Sequence, residues 1–503
     1  MQLEELLHGL SVSATDFVGC DPHTDVTGLC VDSREVAAKP GSAFLATKGE
    51  TVDAHRFVAN ALRDGAAAVL IERGAIDPPN GPHVWLDDTD AAHPRIAANA
   101  MGRPAESLRL AAVTGTNGKT TTAHLLGAIL RHHGAGFARF GTTGNWIVDR
   151  EEPAAFTTPF PLELQGLLRR TVERGGTHAV MEASSHALAQ RRVEPLRFHA
   201  VGFTSFSQDH LDFHPTMEAY LDAKCLLAQR HLAEGGVAVA AVDGQPAAHT
   251  FLERAPAHAR ASLRVSRGAD PDAEILASDI HYGPRHTQAR VTTPEGSFEL
   301  RTPLIAPYNL DNALVALGMA WGLGVSFATS VEALRTATGA PGRLERVHAD
   351  GVPGPTVVVD YAHTPDAVER ALAAVRPLCA GRLHVLLGCG GDRDPSKRPI
   401  MGRAAADGAD VFWATSDNPR TEDPAAIVDA MLTGVPADTA TMVHRVVERD
   451  VAIARAVHQA SQEDLVLIAG KGHEDYQVLG HEKIHFDDRE HALAALQRRD
   501  TSA

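Results

Sequence analysis

The chain has 503 residues, of which 44% are hydrophobic and 22% charged, and its formal net charge is −16. This composition excludes wholesale disorder, and the negative charge argues against a protein that coats nucleic acid or an anionic membrane. At roughly 150 residues per domain, the length suggests about three domains.

The five cysteines are scattered and have no CxxC spacing, which argues against a disulfide framework or a structural zinc site and favours a reducing compartment. The opening MQLEELLHGL is acidic and lacks the features of a secretory signal. No apolar run approaches the 18 or so residues of a membrane span. We therefore expect a cytoplasmic protein without membrane insertion.

Short β-branched runs alternate with Ala- and Leu-rich helical stretches along the chain. The runs AAVLIE, LRLAAVTG, HAVMEASS, HAVGFTSF, TVVVDYAH, LHVLLGCGG, DVFWATSD and DLVLIAGKG are typical of buried strands that end in polar or Gly-rich loops. This alternation predicts an α/β fold with parallel sheets, whose ligands gather at the carboxyl ends of the strands. Alternating polar and apolar residues over 265–302 predict antiparallel hairpins.

Turn-rich stretches near DDTDAAHP and TATGAPGRLERV predict two domain boundaries. The expected domains are residues 1–95, 96–338 and 339–503.

The strongest local signal is AAVTGTNGKTTTAHLL, in which a strand runs through a Gly-rich loop into a helix. Glycines allow backbone N–H groups to face a phosphate, the lysine reaches the outer phosphates, and the following threonine can bind Mg²⁺. Val113 stands where the general pattern has glycine. GTPases, kinases, ATPases and ligases share such a loop, so it predicts nucleotide binding without naming a reaction. The predicted loop residues are Gly115, Thr116, Asn117, Gly118, Lys119, Thr120 and Thr121.

Oxygen and nitrogen ligands that could complete a metal site follow neighbouring strands. Glu182 ends the strand HAVMEASSH, and His210 lies in the loop SFSQDHLDFH. By spacing alone, His210 is equally consistent with a structural histidine, and Lys224 is more typical of a solvent-facing helix residue. The run Ser184-Ser185-His186 lacks a G-x-S-x-G elbow, which argues against a serine hydrolase.

Nine motifs in this order resemble the Mur ligases, and most closely the group that adds an amino acid to UDP-N-acetylmuramoyl-L-alanyl-D-glutamate. They are TGTNGKTT, MEASSHALAQRRV, FSQDHLDFH, APYNLDN, PGRLE, DYAHTPDA, GCGGDRD, DNPRTEDP and GKGHEDYQ. The resemblance runs from about residue 31 to residue 489. It implies an N-terminal unit for the uridine nucleotide, a central P-loop ATPase with a parallel sheet, and a C-terminal Rossmann-like domain that brings the amino acid.

The resemblance also changes the interpretation of Lys224. In this family the matching lysine is carbamylated, so that its new carboxylate binds Mg²⁺, and carbamylation requires a neutral amine with a depressed pKa. The implied catalytic residues are Lys119, Lys224, His210 and Glu182. The implied metal ligands are Thr120, Glu182, His210 and the carbamate of Lys224, with Mg²⁺ as cofactor and ATP as co-substrate.

The resemblance also implies which residues bind the UDP-sugar-peptide and ATP. The UDP-sugar-peptide would contact Val31, Ser33, Thr157, Thr158, Ser184, Gln190 and Arg192. Residues 50–52 (Glu50, Thr51 and Val52) would lie near the uridine. ATP would also be contacted by Asn309, Arg343, Asp360 and His363. Without the resemblance, the hydroxyls are typical of caps and turns and Arg192 of a solvated helix charge. Phe156, Tyr308 and residues 240–243 depart from the family pattern.

Asp417-Asn418-Pro419-Arg420 follows a buried strand, at the edge where α/β sheets bind ligands. The resemblance associates this Asn-Pro-Arg version with meso-diaminopimelate, because an arginine suits a distal carboxylate. The alternative is a surface pair of Arg420 with Glu422 or Asp423. The implied diaminopimelate residues are Arg393, Asp417, Asn418, Pro419, Arg420, Gly470 and Glu474.

The implied reaction is ATP-dependent amide ligation through an acyl phosphate. The substrates are three small molecules, the UDP-linked dipeptide, meso-diaminopimelate and ATP, and we expect a monomer that binds no nucleic acid. A ligase for D-Ala-D-Ala or folate shares the loop and the lysine but not the motifs DNPR and GKGHEDYQ. A degenerate nucleotide-binding regulator would not require Lys119, Glu182, His210 and Lys224 together.

Overall fold

The computed structural model describes residues 1–49, 52–349 and 351–500. The described chain divides into two compact units. The first comprises Met1–Val265 and Val315–Thr329, and the second comprises Ser266–Leu314 and Ser330–Ala503 as far as these are described.

The N-terminal part of the first unit is a five-stranded sheet with the order β1-β5-β4-β3-β2. Strand β1 is antiparallel to β5, and the other neighbours are parallel. Buried aliphatic residues cover both faces of this sheet, since two separate clusters share its strands. The strands are β1 Phe17–Val18, β2 Leu29–Cys30, β3 Ala43–Leu45, β4 Ala68–Glu72 and β5 His83–Leu86. The helices are α1 Leu3–Leu6, α2 Val58–Arg63 and α3 Thr89–Ala100.

A larger sheet follows, with the order β13-β12-β11-β6-β10-β7-β8-β9. It is parallel from β13 to β7, so the loops after β6, β10 and β11 leave the same edge. Its strands are β6 Arg109–Thr114, β7 Phe137–Gly141, β8 Gly144–Ile147, β9 Arg150–Glu152, β10 His178–Glu182, β11 Phe198–Phe203, β12 Leu232–Ala241 and β13 Ala261–Ser266. Its helices are α4 Lys119–His132, α5 Pro161–Glu173, α6 Ser185–Ala189, α7 Met217–His231 and α8 Pro246–Glu253.

The second unit begins with three antiparallel strands, which confirms the hairpins predicted over 265–302. They are β14 Ile275–Tyr282, β15 Thr287–Thr293 and β16 Gly296–Thr302. The helices α9 Pro307–Gly322 and α10 Phe327–Leu334 come next in the chain.

The rest of the second unit is a sheet with the order β17-β18-β22-β19-β20-β21, parallel except for β17. In β18, Val358 packs in one core cluster while Val357 and Val359 pack in another, because successive side chains point to opposite faces. A strand buried on both faces requires the unbroken apolar run that the sequence shows. The strands of this sheet are β17 Glu345–Val347, β18 Thr356–Asp360, β19 Leu383–Leu387, β20 Val411–Ala414, β21 Met442–Arg445 and β22 Leu465–Ala469. Strands β23 Tyr476–Leu479 and β24 Glu482–His485 form a separate antiparallel pair. The helices are α11 Pro365–Val375, α12 Lys397–Gly408, α13 Pro424–Leu432, α14 Arg449–Gln459 and α15 Asp488–Asp500.

These strands confirm the α/β fold with parallel sheets that the sequence predicts. Among the described helices, none is both long and apolar enough to cross a membrane.

Candidate functional site

The phosphate loop connects β6 to α4, as predicted, and α4 begins at Lys119. Gly118 caps the helix with a φ of +89°, a left-handed conformation that favours glycine. A Cβ on Gly115 would lie 2.1 Å from Oγ1 of Thr204, so only glycine fits there. Lys119 Nζ donates to the carbonyl oxygens of Gly115 at 2.8 Å and Thr116 at 3.1 Å. The lysine is thus folded back over the loop, where an outer phosphate would sit.

The remaining loop residues are held from the neighbouring strand β11. The backbone N of Asn117 donates to Ser205 Oγ at 3.0 Å, and the Thr204 hydroxyl donates to the carbonyl oxygen of Asn117. Thr121 is buried within α4.

Glu182 ends β10 beside the loop and is 1% exposed. Thr120 Oγ1 donates to Glu182 Oε2 at 2.9 Å. The backbone N of Thr142 donates to Oε1 at 2.9 Å, and its hydroxyl donates to Oε2 at 3.1 Å. A Cβ on Gly141 would lie 2.1 Å from Glu182 Oε1, so glycine makes room for the carboxylate. A hydroxyl and a carboxylate so placed are the oxygen donors that a hard divalent cation prefers.

Lys224 lies in α7 and is 1% exposed, so it is not the solvent-facing residue that spacing alone favours. Its Nζ donates to the carbonyl oxygen of Gly115 at 2.9 Å and lies 4.4 Å from the ring centroid of Tyr220. Burial, reinforced by the cation of Lys119, lowers the pKa of the Lys224 ammonium well below its ordinary value. A neutral amine is the form that can react with carbon dioxide.

His210 lies in the loop after β11 with a φ of +53° and a side chain 43% exposed. Its ring packs edge-on against that of His186, with centroids 4.7 Å apart. Within the described residues, no group of three or more His, Cys, Asp or Glu side chains could hold a metal. The predicted ligand set therefore depends on the Thr120 hydroxyl and on a modified Lys224.

Four of the predicted UDP-sugar-peptide residues contact one another beside Glu182. Thr158 Oγ1 donates to the carbonyl oxygen of Glu182 at 2.8 Å and accepts from the backbone N of Ser184 at 3.1 Å. Arg192 donates to Gln190 Oε1 at 2.7 Å and to the carbonyl oxygen of Thr158 at 3.1 Å. The structure thus brings these residues together at the edge that carries the phosphate loop.

Aromatic and hydroxyl side chains extend this group. The Arg192 guanidinium lies 3.8 Å from the ring centroid of Phe160, so it is not simply a solvated helix charge. The hydroxyls of Thr157 and Thr142 lie 3.1 Å apart. Ser184 also caps α6, because its Oγ accepts from the backbone N of Ala187 at 3.1 Å.

The other residues predicted for this substrate lie in the N-terminal sheet region. Val31 is half-buried after β2, and Ser33 starts a short 3-10 helix. Glu50 and Thr51 lie outside the described residues, and Val52 is exposed. The structure shows no contact of Val31 or Ser33 with the group around Thr158, within the part of the chain that it describes.

The further ATP residues lie in the second unit. Asp360 ends β18 and accepts from the backbone N of Leu344 at 2.8 Å and of Ala362 at 2.9 Å. The Arg343 guanidinium lies 4.7 Å from the ring centroid of Tyr361, and the His363 ring lies 4.5 Å from the same ring. These residues therefore form one group at the end of β18.

Asn309 lies in the first turn of α9, where Asn309 Nδ2 donates to the carbonyl oxygen of Ile305 at 3.0 Å. No hydrogen bond or ring contact that the structure describes joins it to the group around Tyr361.

The loop 417–420 follows β20 and is tied to the loop after β22. Asn418 Nδ2 donates to Glu474 Oε2 at 2.9 Å, and Lys471 Nζ donates to Asn418 Oδ1 at 3.3 Å. Lys471 Nζ also lies 3.5 Å from carboxylate oxygens of Asp417 and of Glu474. Gly470 has a φ of +112°, and a Cβ on it would meet Asp417 Oδ2 at 3.3 Å. Asp417, Asn418, Gly470 and Glu474 therefore lie together in one group.

Arg420 closes this loop in the left-handed region, with a φ of +51°. Its Nη1 donates to the carbonyl oxygen of Gly391 at 2.7 Å. In the described chain Arg420 forms no ion pair with Glu422 or Asp423, and Glu422 pairs instead with Arg398 at 2.7 Å. A Cβ on Gly390 would lie between Arg420, at 3.0 Å, and Arg393, at 3.7 Å. The two arginines thus flank the same glycine.

Pro419 also packs tightly, since a Cβ on Gly391 would clash with its carbonyl oxygen at 1.9 Å.

Two buried cations were missed from the sequence. Lys471 is fully buried, and Arg449 donates to both carboxylate oxygens of Asp488, at 2.7 and 2.6 Å. Burial raises the pKa of the Asp417 carboxyl, and Arg449 and Lys471 oppose that shift. The motif GKGHEDYQ could have drawn attention to Lys471, whereas no local signal joins Arg449 to a residue 39 positions away.

Three family profiles match: Mur ligase family, catalytic domain, over residues 25–132; Mur ligase middle domain, over 113–320; and Mur ligase, glutamate ligase domain, over 342–472. Among solved structures, one of a UDP-N-acetylmuramoyl-L-alanyl-D-glutamate--2,6-diaminopimelate ligase is similar over 99% of both chains, with a TM-score of 0.75 and 32% identity. MurF from Acinetobacter baumannii shares the fold over 93% of this chain and 95% of its own, with a TM-score of 0.60 and 23% identity.

Curated relatives are also named UDP-N-acetylmuramoyl-L-alanyl-D-glutamate--2,6-diaminopimelate ligase. The protein from Gloeobacter violaceus is 41% identical over 99% of both chains. The protein from Geobacillus thermodenitrificans is 41% identical over 94% of this chain and 96% of its own. The chain therefore belongs to the Mur ligase family of ATP-dependent ligases.

Proposed function

We propose that the enzyme adds meso-2,6-diaminopimelate to UDP-N-acetylmuramoyl-L-alanyl-D-glutamate in the synthesis of peptidoglycan precursors. The names of the relatives at about 41% identity support this choice. We assign residues 1–95 to the UDP-sugar, residues 96–338 to ATP and residues 339–503 to the amino acid, in a chain that acts as a monomer.

The reaction begins with activation of the acceptor. An oxygen of the D-glutamate γ-carboxylate attacks the γ-phosphorus of ATP and expels ADP, which leaves an acyl phosphate. The diaminopimelate amine then attacks the acyl carbon, phosphate leaves with the former carboxylate oxygen, and the amine loses a proton. Activation is necessary because a carboxylate carries no leaving group and is a poor electrophile.

The chain's own residues stabilise charge at the first step. Lys119, folded over the loop, neutralises the transferring phosphoryl group. The backbone N–H groups in the first turn of α4, which begins at Lys119, hold the phosphates. Arg192 and the hydroxyls of Thr157 and Thr158 orient the acceptor, for which fork-shaped and short donors are suited.

Mg²⁺ fits the donors beside the loop. Thr120, Glu182, His210 and a carbamate on Lys224 would hold it, and when bound it supplies positive charge against the phosphate oxygens. The buried amine of Lys224 supports this set, because its depressed pKa keeps the nucleophilic form available.

The residues around the loop 417–420 are suited to an amino acid that carries charge at both ends. We assign the distal carboxylate to Arg420 and Arg393, and the distal ammonium to Glu474, Asn418 and the Gly470 carbonyl. Asp417 positions Lys471 and the loop. We assign Arg343, Asp360, His363 and Asn309 to ATP.

One observation carries this specificity. Lys471 is shared between the carboxylates of Asp417 and Glu474, each 3.5 Å away, so one negative charge remains for a substrate ammonium. Arg420 forms no ion pair in the described part of the chain. A cation left without a carboxylate partner beside a strand end is suited to a substrate carboxylate.

The experiment is a product assay with purified enzyme, the UDP-linked dipeptide, ATP, Mg²⁺ and one amino acid at a time. We expect phosphate release and a lengthened peptide only with all reactants present and with meso-diaminopimelate preferred over L-lysine. Equal use of L-lysine would contradict the specificity. Product with D-Ala-D-Ala or with a folate acceptor, and none with diaminopimelate, would contradict the proposed reaction.

A further inference from the structure

A cavity of about 540 Å³ lies in the first unit, at the amino-terminal ends of the central strands. Its lining includes Arg109, which begins β6, and Arg197, which immediately precedes β11. The phosphate loop leaves the opposite end of β6. At roughly 3.3 Å per residue, the six steps from Arg109 to Gly115 separate the two ends by about 20 Å. The cavity is therefore distinct from the candidate active site.

The lining is strongly cationic in a chain whose net charge is −16. Four arginines line the cavity, Arg95, Arg103, Arg109 and Arg197, against a single carboxylate, Glu106. Glu106 pairs with Arg103 at 3.7 Å. The other three arginines form no ion pair in the described part of the chain. Uncompensated guanidinium groups around a concavity attract an anion, and their planar forks match phosphate oxygens.

A buried amide independently indicates a missing partner. Gln165 of α5 lines the same cavity and is 1% exposed, yet neither its Nε2 nor its Oε1 has a hydrogen-bond partner among the described residues. Leaving a buried polar group unpaired is costly, and native proteins rarely do so. A ligand that enters the cavity and supplies a partner would remove this cost.

His199 adds a donor to the lining. Its Nδ1 accepts from the backbone N of Leu110 at 3.1 Å, so the neutral ring carries its proton on Nε2. Burial and the nearby Arg109 cation lower the pKa of His199, which favours this neutral form.

We propose that this cavity is a second binding site, separate from the active site, for a small molecule that carries two or more phosphate groups. The arginines hold the phosphates, and Gln165 hydrogen-bonds to the ligand. The volume is within the range of small-molecule sites, which favours a small ligand over the headgroups of an extended membrane surface.

The test uses inorganic pyrophosphate as the probe, with the full-length enzyme saturated with Mg·ADP so that the phosphate loop is filled. We expect calorimetry to detect pyrophosphate binding to the wild type and affinity at least about tenfold weaker in the double variant Arg109→Gln, Arg197→Gln. The matched control is Arg169→Gln, because Arg169 is exposed on α5, pairs with Glu173 at 2.8 Å and does not line the cavity. No binding in the presence of ADP, or equal binding by all three proteins, would overturn the proposal.

Two further experiments test the role of Gln165 and distinguish a small ligand from a lipid. Gln165→Leu is expected to raise the thermal midpoint of the ligand-free protein and to reduce the shift that pyrophosphate produces. An unchanged pyrophosphate shift would overturn the role of the amide. Flotation with phosphatidylglycerol vesicles that depends on Arg109 and Arg197, combined with no pyrophosphate binding, would overturn the small-molecule assignment in favour of lipid.

Discussion

The phosphate loop and the loop 417–420 both follow a buried parallel strand, but they are constructed differently. The phosphate loop depends on backbone geometry, with glycines at Gly115 and Gly118 and a lysine that bonds to carbonyl oxygens three and four residues before it. The loop 417–420 depends on side chains from distant segments, since Asn418 contacts Lys471 and Glu474. A nucleotide-binding loop can thus be a local feature of the sequence, whereas the proposed amino-acid site is assembled from distant segments of the chain.

The largest effect is expected when the lysine of the phosphate loop, Lys119, is removed. We expect Lys119→Ala to lower kcat/KM by about a thousandfold, because charge on the transferring phosphoryl group would lose its nearest side-chain cation. Diaminopimelate binding to the free enzyme should be unchanged, which equilibrium dialysis can measure. Full activity of the variant would show that the loop does not act as proposed.

The next largest effect concerns Lys224. We expect Lys224→Met to lower kcat/KM by less than Lys119→Ala does and to raise the unfolding midpoint in buffer free of carbon dioxide, since it removes a buried amine whose pKa is depressed. The folded pKa lies below the unfolded one, so the unfolded chain binds the extra proton between the two values. The stability advantage of the variant should therefore be largest at low pH and shrink as the pH rises toward 10.5. Thermal unfolding across pH measures this.

A carbamate gives a second readout for the same residue. Wild-type activity should fall in medium depleted of carbon dioxide and return with bicarbonate. An active Lys224→Arg variant that binds metal normally would contradict the carbamate.

A smaller effect is expected at the tertiary site. Arg420→Ala should raise the KM for meso-diaminopimelate by about 10- to 100-fold, the worth of a hydrogen bond between charged groups, while leaving the KM for ATP unchanged. Arg445→Ala is the matched control, since Arg445 is an exposed arginine of the same unit paired with Asp429. An equal effect of both variants would show that the loss is not specific to Arg420.

The smallest effect is expected where an aromatic ring supports a substrate contact. Phe160→Ala should raise the KM for the UDP-linked dipeptide by a few fold, because the cation–π contact with Arg192 at 3.8 Å is worth about 0.5–1 kcal/mol at an exposed site. Steady-state kinetics at saturating ATP and diaminopimelate measures the change. A change in kcat with an unaltered KM would contradict a positioning role through Arg192.

Features formed by residues adjacent in the chain could be predicted from the sequence, whereas features formed by distant residues could not. Buried strands such as β18 and β22 were predictable, because a strand covered on both faces needs an uninterrupted apolar run. The phosphate loop was predictable because its residues are adjacent in the chain. Lys224 was not, since helical spacing alone favoured a solvent-facing residue while the folded chain buries it under Gly115. The partners of Asn418 were implied only by a family resemblance, and Arg449 was missed because its ion pair with Asp488 joins α14 to α15.

In the proposed reaction, the γ-phosphoryl group of ATP activates the acceptor carboxylate before the amine attacks. The most direct measurement supplies the UDP-linked dipeptide with ¹⁸O in the D-glutamate γ-carboxylate and analyses the released phosphate by mass spectrometry. We expect one ¹⁸O atom in each phosphate, because the bridging oxygen leaves with phosphorus when the amide forms. Released phosphate without ¹⁸O, accompanied by normal formation of the lengthened peptide, would contradict it.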